Sequence, residues 1–246
     1  STGADIITGA GAVDTITGGA GNDIIDAGAG DDIIIIATAG EADGDTIDGG
    51  ADTDVLKLST GGTDTFSTDN KLQNVETIQA HASGSTVVLT GQTEAFTITG
   101  GTGIDTITGG AGNDIITGGA GNDIITVDAG TDTVTDLGGG GSGGDDDVVI
   151  VSSGAKLSAT GVVDFSATSA TKNNATDAGN AVLAAASGGS TMNVSAATGS
   201  AVSFTLTGGA GADIITGSTG ADIITGAGAV DTIDGGGAVD TITGGA

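Results

Sequence analysis

Cysteine and proline are both absent from this chain of 246 residues, and its only aromatic side chains are four phenylalanines. Without cysteine, neither a disulfide framework nor a thiolate metal site can form. A globular core uses more large side chains than this, whereas a thin solenoid is filled by isoleucine, valine and alanine. No apolar run approaches the roughly 18 residues that a membrane-spanning helix needs. These absences favour a slender, repetitive fold.

Basic residues are almost as scarce: four Lys and Arg face 32 Asp and Glu, which gives a formal net charge of -28. This excludes nucleic-acid binding, because contacts to phosphates need a basic surface. Such acidity usually indicates disorder. Here, however, 37% of the residues are hydrophobic and the mean hydropathy is positive. Both facts agree if the carboxylates bind cations.

Aspartate recurs every nine residues in three stretches of the chain. The two central repeats, residues 109–117 and 118–126, both read GGAGNDIIT. If the first glycine of this frame is position one, aspartate occupies position six and isoleucine position eight. Asp45 and Asp54 form a shorter pair after four extra residues near 37–40, and we assign Asp147 to position six because Val149 then faces inward. The candidate metal ligands are Asp5, Asp14, Asp23, Asp32, Asp45, Asp54, Asp105, Asp114, Asp123, Asp132, Asp147, Asp213, Asp222, Asp231 and Asp240.

The composition of the repeat indicates calcium as the metal. Glycine at positions one, two and four permits turns that bring peptide carbonyls close together, and the aspartate adds a carboxylate. Calcium is a hard cation that binds oxygen in flexible geometry, whereas magnesium prefers a strict octahedron and zinc prefers nitrogen or sulfur. Aspartate also caps ordinary turns, but long series with strict spacing favour the metal.

The pattern resembles the calcium-binding nonapeptide G-G-x-G-x-D-x-U-x of RTX proteins, which are exported by type I secretion. The resemblance implies an all-β fold: a right-handed parallel β-roll or β-helix solenoid with calcium-binding turns and less regular β inserts. It further implies that two repeats make one coil and that several calcium ions lie between the loops of adjacent coils. The implied partners are Asp5 with Asp23, Asp14 with Asp32, Asp105 with Asp123, Asp114 with Asp132, Asp213 with Asp231, and Asp222 with Asp240.

We divide the chain into three repeat blocks and two inserts. The repeat blocks are 1–58, 100–147 and 207–246, and the inserts are 59–99 and 148–206. The first insert alternates with period two, so we expect it to continue the solenoid without calcium loops. The second is rich in Ala, Ser and Thr. Its residues 148–151 and 202–206 are predicted strands, and residues 177–186 favour a short helix.

Two positions of the repeat predict the inside and outside of the solenoid. Position eight is always β-branched and is expected to stack in the interior. Position seven should face outward, yet it is isoleucine at Ile6, Ile24, Ile33, Ile115, Ile124, Ile214 and Ile223. Either these side chains pack against another protein surface, or the inserts fold back and cover them.

Several loops depart from the repeat. Position four is Ala12, Ala229 or Ala238 in three repeats and Asp52 in another, and we expect these loops to bind calcium more weakly. The single histidine, His81, lacks the motif of a catalytic triad. The glycine-rich loops are followed by an aspartate and a strand, which excludes a dinucleotide-binding turn. We therefore expect no enzyme activity.

Repeats combined with Ala-, Ser-, Thr- and Gly-rich inserts look most like a bacterial surface-layer protein. The chain begins inside a repeat and has no basic-plus-apolar leader, so we expect a processed product or a fragment. We predict an extracellular calcium-binding structural protein on the cell surface that folds on calcium binding and self-assembles into a layer or fibre. Its expected partners are other copies of the chain and a cell-surface polysaccharide. Two alternatives are the calcium-binding region of a secreted enzyme or toxin, and an adhesin or ice-binding segment with threonine at position nine (Thr108, Thr117, Thr126 and Thr135).

Overall fold

The computed structural model describes residues 2–138, 146–175, 181–199 and 202–245, and these divide into two units, Ser1–Gly119 and Ala120–Ala246. The strands of unit 1 are β1 Ile6–Thr8, β2 Thr15–Thr17, β3 Ile24–Asp26, β4 Ile33–Ile36, β5 Thr46–Asp48, β6 Val55–Leu58, β7 Thr63–Thr65, β8 Leu72–Gln73, β9 Thr77–Gln79, β10 Thr86–Val88, β11 Thr97–Thr99, β12 Thr106–Thr108 and β13 Ile115–Thr117. Those of unit 2 are β14 Ile124–Val127, β15 Gly130–Val134, β16 Val148–Val151, β17 Ala155–Val162, β18 Phe165–Ser166, β19 Lys172–Asn173, β20 Ala181–Ala185, β21 Thr191–Asn193, β22 Thr205–Thr207, β23 Ile214–Thr216, β24 Ile223–Thr225, β25 Thr232–Asp234 and β26 Thr241–Thr243.

Each unit is a parallel β-solenoid, which confirms the predicted fold class. Within unit 1 the sheet orders are β1-β3-β5-β8, β2-β4-β6-β9-β11-β13 and β7-β10-β12. Within unit 2 they are β14-β16-β19, β15-β17-β20-β22-β24-β26 and β18-β21-β23-β25. Strands from consecutive repeats lie in different sheets, so a strand pairs with the strand two repeats later. Ile7 thus lies beside Ile25, one coil along the chain.

The four extra residues near 37–40 enlarge one coil without breaking the stack. Strand β3 pairs with β5 in register, and Ile25 lies beside Ile47. The additional residues are accommodated in the loop between β4 and β5, where Gly40 has a φ of 84°. The first insert also continues the solenoid, since Ile78 pairs with Leu56 on one side and with Ile98 on the other.

The predicted helix in the second insert is wrong for the residues that the structure describes there. Ala181–Ala185 form strand β20, which pairs in parallel with β17 and β22; residues 177–180 lie outside the described residues. The burial of alternate side chains explains why this segment forms a strand. Ala181 and Leu183 are buried, and this period-two burial in a sheet outweighs the modest helix propensity of alanine and leucine.

Position eight forms the core of both units, as predicted. The buried members are Ile16, Ile25, Ile34, Ile107, Ile116, Ile125, Val134, Ile215 and Ile224. Ile7 and Ile233 are half-buried, and Ile242 is half-exposed. Those three lie on β1, β25 and β26, each the last strand of its sheet, so a neighbouring strand covers them from one side only.

Helix contributes almost nothing to the described residues: a 3-10 turn at Asp69–Lys71 is followed directly by β8. None of the described helical residues forms a segment long and apolar enough to cross a membrane.

Candidate metal centre

The side chains of the aspartates at position six point into the coil. Their Oδ1 atoms accept hydrogen bonds from backbone N–H groups of the preceding coil. The N–H of Asp5 donates to Asp23 Oδ1 at 2.8 Å, and that of Asp14 donates to Asp32 Oδ1 at 2.7 Å. The same bond joins Asp213 to Asp231 and Asp222 to Asp240, both at 3.0 Å. Four predicted pairs therefore lie in adjacent coils. The remaining two, Asp105 with Asp123 and Asp114 with Asp132, have one member in each unit and stay predictions.

The structure also identifies partners for the two aspartates that follow the extra residues. Asp23 N–H donates to Asp45 Oδ1, and Asp32 N–H donates to Asp54 Oδ1, both at 2.8 Å. The separation rises from 18 to 22 residues because both spans contain the same enlarged loop. In unit 2, Asp147 Oδ1 accepts the N–H of Asp123, and its Oδ2 accepts that of Gly138.

Most of the predicted ligands are buried. Those under 3% exposed are Asp23, Asp32, Asp45, Asp54, Asp105, Asp114, Asp123, Asp132, Asp147, Asp213 and Asp222. Asp5, Asp14, Asp231 and Asp240 are half-buried. Burial disfavours the charged carboxylate unless something compensates it.

The pKa values of several of these carboxyl groups are raised because burial disfavours the charged form. Burial raises the pKa of Asp45 to about 6, and the nearby charge of Asp23 contributes to this rise. Burial likewise raises the pKa of Asp54, Asp105 and Asp222. In addition, the buried Oδ2 atoms of Asp23, Asp32, Asp54 and Asp231 have no hydrogen-bond partner. A buried acceptor without a donor is costly, and a bound cation would remove that cost.

Two oxygen atoms approach the glycine at position one so closely that no side chain fits there. A Cβ atom placed on Gly208 would be 2.3 Å from the carbonyl oxygen of Gly226 and 2.6 Å from Asp213 Oδ2. Calcium–oxygen distances in proteins are about 2.3–2.6 Å. Both oxygen atoms lie near the same point, so the distance between them is short enough for one calcium ion to bind both. The same arrangement recurs beside Gly9, Gly49, Gly100 and Gly217.

Backbone carbonyls have to supply most of the coordination. Within the part of the chain that the structure describes, no three Asp, Glu or His side chains converge to hold a metal ion. Calcium takes about six to eight oxygen ligands, and each pair of adjacent loops offers one or two carboxylates. The residues present fit calcium, since the carboxylates and carbonyls of the loops supply oxygen ligands.

Position four requires a left-handed backbone in several loops. Gly21 and Gly121 have φ values of 134° and 123°, and the residues that replace glycine there, Asp52, Ala229 and Ala238, have φ values of 82°, 61° and 62°. A side chain in this region costs roughly 1–2 kcal/mol. The substituted loops keep the turn but are strained.

The residue one coil earlier that donates its N–H to a position-six aspartate is not always an aspartate itself. Asp114 and Asp222 accept the N–H groups of Phe96 and Phe204, and Asp105 and Asp213 accept those of Ser85 and Ser190. Phe96 and Phe204 are buried. The donor one coil earlier is therefore a phenylalanine or serine, whose side chain is not a carboxylate. The nine-residue spacing did not reveal this difference, because it depends on which residues the coil brings together.

Two acidic residues in the first insert resemble the predicted ligands but were missed by the repeat pattern. Glu76 Oε2 accepts the N–H of Asp54 at 2.8 Å. Asp64 is fully buried, its Oδ1 accepts the N–H of Gly40, and burial raises its pKa. Asp64 points inward beside Val87, where other coils have an aliphatic side chain. Glu76 does not follow a glycine-rich loop. Asp64 follows Gly61 and Gly62 but lies ten residues after Asp54, outside the nine-residue series that identified the others.

His81 belongs to a local turn. Its Nδ1 lies 2.8 Å from Ser83 Oγ, and its backbone N–H donates to Ser85 Oγ. Both partners are within four residues, so the contacts account for the shape of the loop. The expectation that the chain is not an enzyme stays a prediction.

Comparison with protein families agrees with this geometry. Residues 1–34, 99–134, 205–230 and 217–246 match the model described as RTX calcium-binding nonapeptide repeat. The matched segments cover somewhat less than half of the chain. A search of curated proteins found no match.

The chain therefore contains RTX calcium-binding repeats, which bind multiple Ca²⁺ ions. These repeats imply a secreted, extracellular protein of the type I class. The role of each individual aspartate as a ligand stays a prediction.

Proposed function

We propose that this chain, as a carrier of RTX calcium-binding repeats, is an extracellular structural protein that folds when it binds calcium and then self-assembles into a surface layer or fibre. It has no catalytic role in this proposal. Its partners are other copies of the same chain, and a cell-surface polysaccharide is the candidate anchor.

The distribution of charge supports folding controlled by calcium. Carboxylates of adjacent coils are stacked, as with Asp23 and Asp45, and only four Lys and Arg are available to balance the acidic residues. Without a cation, coil closure brings like charges together in a buried place, which is unfavourable. Bound calcium neutralises these carboxylates and joins the loops of adjacent coils, so binding energy becomes folding energy.

The free energy of calcium binding is large enough to control folding. Extracellular calcium modules have Kd values of about 10⁻⁴–10⁻³ M. At millimolar calcium, each site then contributes roughly 0.4–1.4 kcal/mol of stability. Several sites together contribute an amount comparable to the whole stability of a typical domain, which is about 5–15 kcal/mol. The chain can thus be unfolded at low calcium during export and folded outside the cell.

The observation that carries the assembly proposal is the exposure of isoleucine at position seven. Ile6 is 80% exposed and lies beside Ile24, which is 51% exposed, on β1 and β3. Ile214 and Ile223 are 52% and 43% exposed on β23 and β24. The alternative that the inserts cover these side chains is wrong for the described residues. Outward apolar groups on flat parallel sheets favour contact with another protein surface.

These isoleucines do not form one continuous row. Ile24 lies on the sheet of β1, β3 and β5, whereas Ile33 lies on the sheet of β2, β4 and β6. Each sheet therefore presents its own apolar positions, interrupted by threonine or valine. More than one face of a unit is available for contacts with other copies.

Calcium titration followed by circular dichroism, sedimentation and electron microscopy tests the proposal. We expect β-structure to appear with calcium and ordered layers or fibres to follow at higher protein concentration. If EDTA leaves the β-signal intact, folding does not depend on calcium. If the calcium-bound chain stays monomeric at high concentration, the assembly proposal fails.

The alternatives have less support. Thr117 lies beside Thr99, but Thr108 lies beside Val88 on another sheet. Threonines nine residues apart therefore do not form a single row, and this weakens the adhesin or ice-binding alternative. Thermal hysteresis by the isolated chain would revive it. The alternative of a calcium-binding region of a secreted enzyme or toxin predicts a catalytic domain encoded in the same gene.

A further inference from the structure

Asp54 lies where the first repeat block meets the first insert, and one of its oxygen atoms is unexplained. Its Oδ1 accepts the N–H of Asp32 at 2.8 Å. Its Oδ2 is buried and has no hydrogen-bond partner, and the residue is fully buried. A buried acceptor with no donor calls for a ligand. The match to RTX repeats ends at residue 34 and resumes at residue 99, so it does not include this aspartate.

The strand register aligns the next coil with the loop of Asp54. Gln73 pairs with Asp48, and Gly49 N–H donates to the carbonyl of Gln73 at 2.9 Å. Asn74 therefore corresponds to position one, as Gly49 does. On the other side of the turn, Thr77 N–H donates to the carbonyl of Asp54 at 3.1 Å. Glu76 therefore corresponds to position six.

Two oxygen atoms approach Gly49 closely, as they do at position one of the regular repeats, and they therefore lie near each other. A Cβ atom placed on Gly49 would lie 2.0 Å from the carbonyl oxygen of Asn74 and 2.6 Å from Asp54 Oδ2. Asn74 has a φ of 51°, a left-handed conformation that asparagine tolerates better than most residues. Its side-chain Nδ2 donates to Asp48 Oδ1 at 2.7 Å. This bond holds the turn that places the carbonyl oxygen of Asn74 near Asp54 Oδ2.

Glu76 provides the second carboxylate in a shortened loop. Five residues lead from Gly49 to Asp54, but only two lead from Asn74 to Glu76. The longer side chain of glutamate still reaches the position that aspartate occupies in a full loop, since Glu76 Oε2 accepts the N–H of Asp54 at 2.8 Å. The shortened loop loses the carbonyls of three residues. A cation here has fewer protein ligands than in a full repeat and keeps more water.

We propose that Asp54, Glu76 and the carbonyl oxygen of Asn74 form a calcium site inside the first insert, so that the series of ions continues one coil beyond the repeat block. The site rests on the calcium-dependent folding proposed above. It revises the expectation that the insert continues the solenoid without calcium loops. Functionally, it ties the insert to the calcium switch, so both parts of unit 1 fold over the same range of calcium concentration.

The competing explanation is that Glu76 only caps the N–H of Asp54. The Glu76→Gln variant separates the two, because glutamine keeps the acceptor oxygen and the length but removes the charge. Glu94→Gln is the matched control, since Glu94 lies in the same insert and its Oε2 accepts the N–H of Thr93. Native mass spectrometry at saturating calcium counts the ions, and isothermal titration calorimetry gives their affinities. We expect one ion fewer in Glu76→Gln and an unchanged count in Glu94→Gln. An unchanged count and affinity in Glu76→Gln overturns the site.

A second measurement needs no variant at position 76. The chain has only three glutamates, at positions 41, 76 and 94, so labelling glutamate Cδ with ¹³C gives three carboxyl signals. Glu41→Gln and Glu94→Gln assign them by elimination. Exchange of calcium for lanthanum, an ion of similar size, is expected to move the Glu76 signal and leave the other two in place. If the Glu76 signal does not move, Glu76 is a cap and the proposal fails.

These results are distinguishable from failure of the proposed function. A chain that binds the ion at Glu76 but stays monomeric overturns self-assembly and leaves the site intact. A chain that assembles with calcium but keeps its full ion count in Glu76→Gln overturns the site alone.

Discussion

The backbone N–H of Asp32 donates a 2.8 Å hydrogen bond to Oδ1 of Asp54, one coil further along the chain. Both residues are fully buried, and the Oδ2 atom of each has no hydrogen-bond partner. One oxygen of each carboxylate therefore holds the coils together, and the other is left for a cation. In the function proposed above, the same carboxylates oppose folding without calcium and stabilise the folded state with it.

Asp32→Asn is expected to have opposite effects on the two states. Loss of one negative charge relieves repulsion in the metal-free chain, whereas loss of a ligand weakens the calcium-bound fold by about 1–3 kcal/mol. The calcium concentration at the midpoint of folding, measured by circular dichroism, should rise several-fold. Asp26→Asn, at an exposed position on β3, is the control and should leave the midpoint unchanged. Equal midpoints for the two variants would contradict a ligand role for Asp32.

Stability should depend on pH in opposite directions with and without calcium. Burial raises the pKa of Asp45 from 3.8 in the unfolded chain to about 6 in the fold. Protonation of the Asp45 carboxyl group therefore favours the fold of the metal-free protein. This stabilisation is fully present below pH 3.8 and is lost as the pH rises through about 6. In EDTA we therefore expect more β-structure or a higher melting temperature at pH 5 than at pH 7.5. In millimolar calcium, protons compete with the ion, and the order should reverse. The same pH dependence in both buffers would refute this account.

Ala229→Gly should stabilise the third repeat block. Ala229 has a φ of 61°, where a side chain costs roughly 1–2 kcal/mol. Glycine removes that strain, but it lowers the free energy of unfolding by about 0.4–1 kcal/mol because the unfolded chain gains conformational entropy. We expect a net gain of up to about 1 kcal/mol in calcium, measured as a higher melting temperature. Ala210→Gly, at exposed Ala210 in position three, is the control and should lower stability. A loss in both variants would show that the loop of Ala229 is not strained.

Ile24→Thr should impair assembly without impairing folding. Ile24 is 51% exposed, so its replacement is expected to change the free energy of unfolding by no more than about 0.5 kcal/mol. Its neighbour Ile25 is buried, and Ile25→Thr should cost about 2–4 kcal/mol because it removes packing and buries a hydroxyl group. Light scattering and sedimentation at saturating calcium measure assembly, and thermal melts measure stability. Assembly of Ile24→Thr equal to that of the unchanged chain would remove Ile24 from the contact surface.

Much of the fold was predictable because its main signals are local. The nine-residue spacing placed Asp23 at position six, Ile25 inside and Ile24 outside, and the structure agrees on all three positions. Alternating side chains also predicted the strands of the first insert. Prediction failed at Ala181–Ala185, where a helix-favouring composition forms strand β20 because neighbouring strands pair with it.

The amino-acid sequence by itself determined the repeat, the oxygen-rich loops, the acidic charge and the two-sided strands, since each depends on residues within about one nonapeptide. Only the tertiary structure decided which groups face one another across coils. It placed Asp45 against Asp23, Phe96 against Asp114, and Glu76 against Asp54. These partners lie 18 to 22 residues apart. Their identity depends on the length of every intervening loop, so the fixed spacing that revealed the repeat does not reveal them.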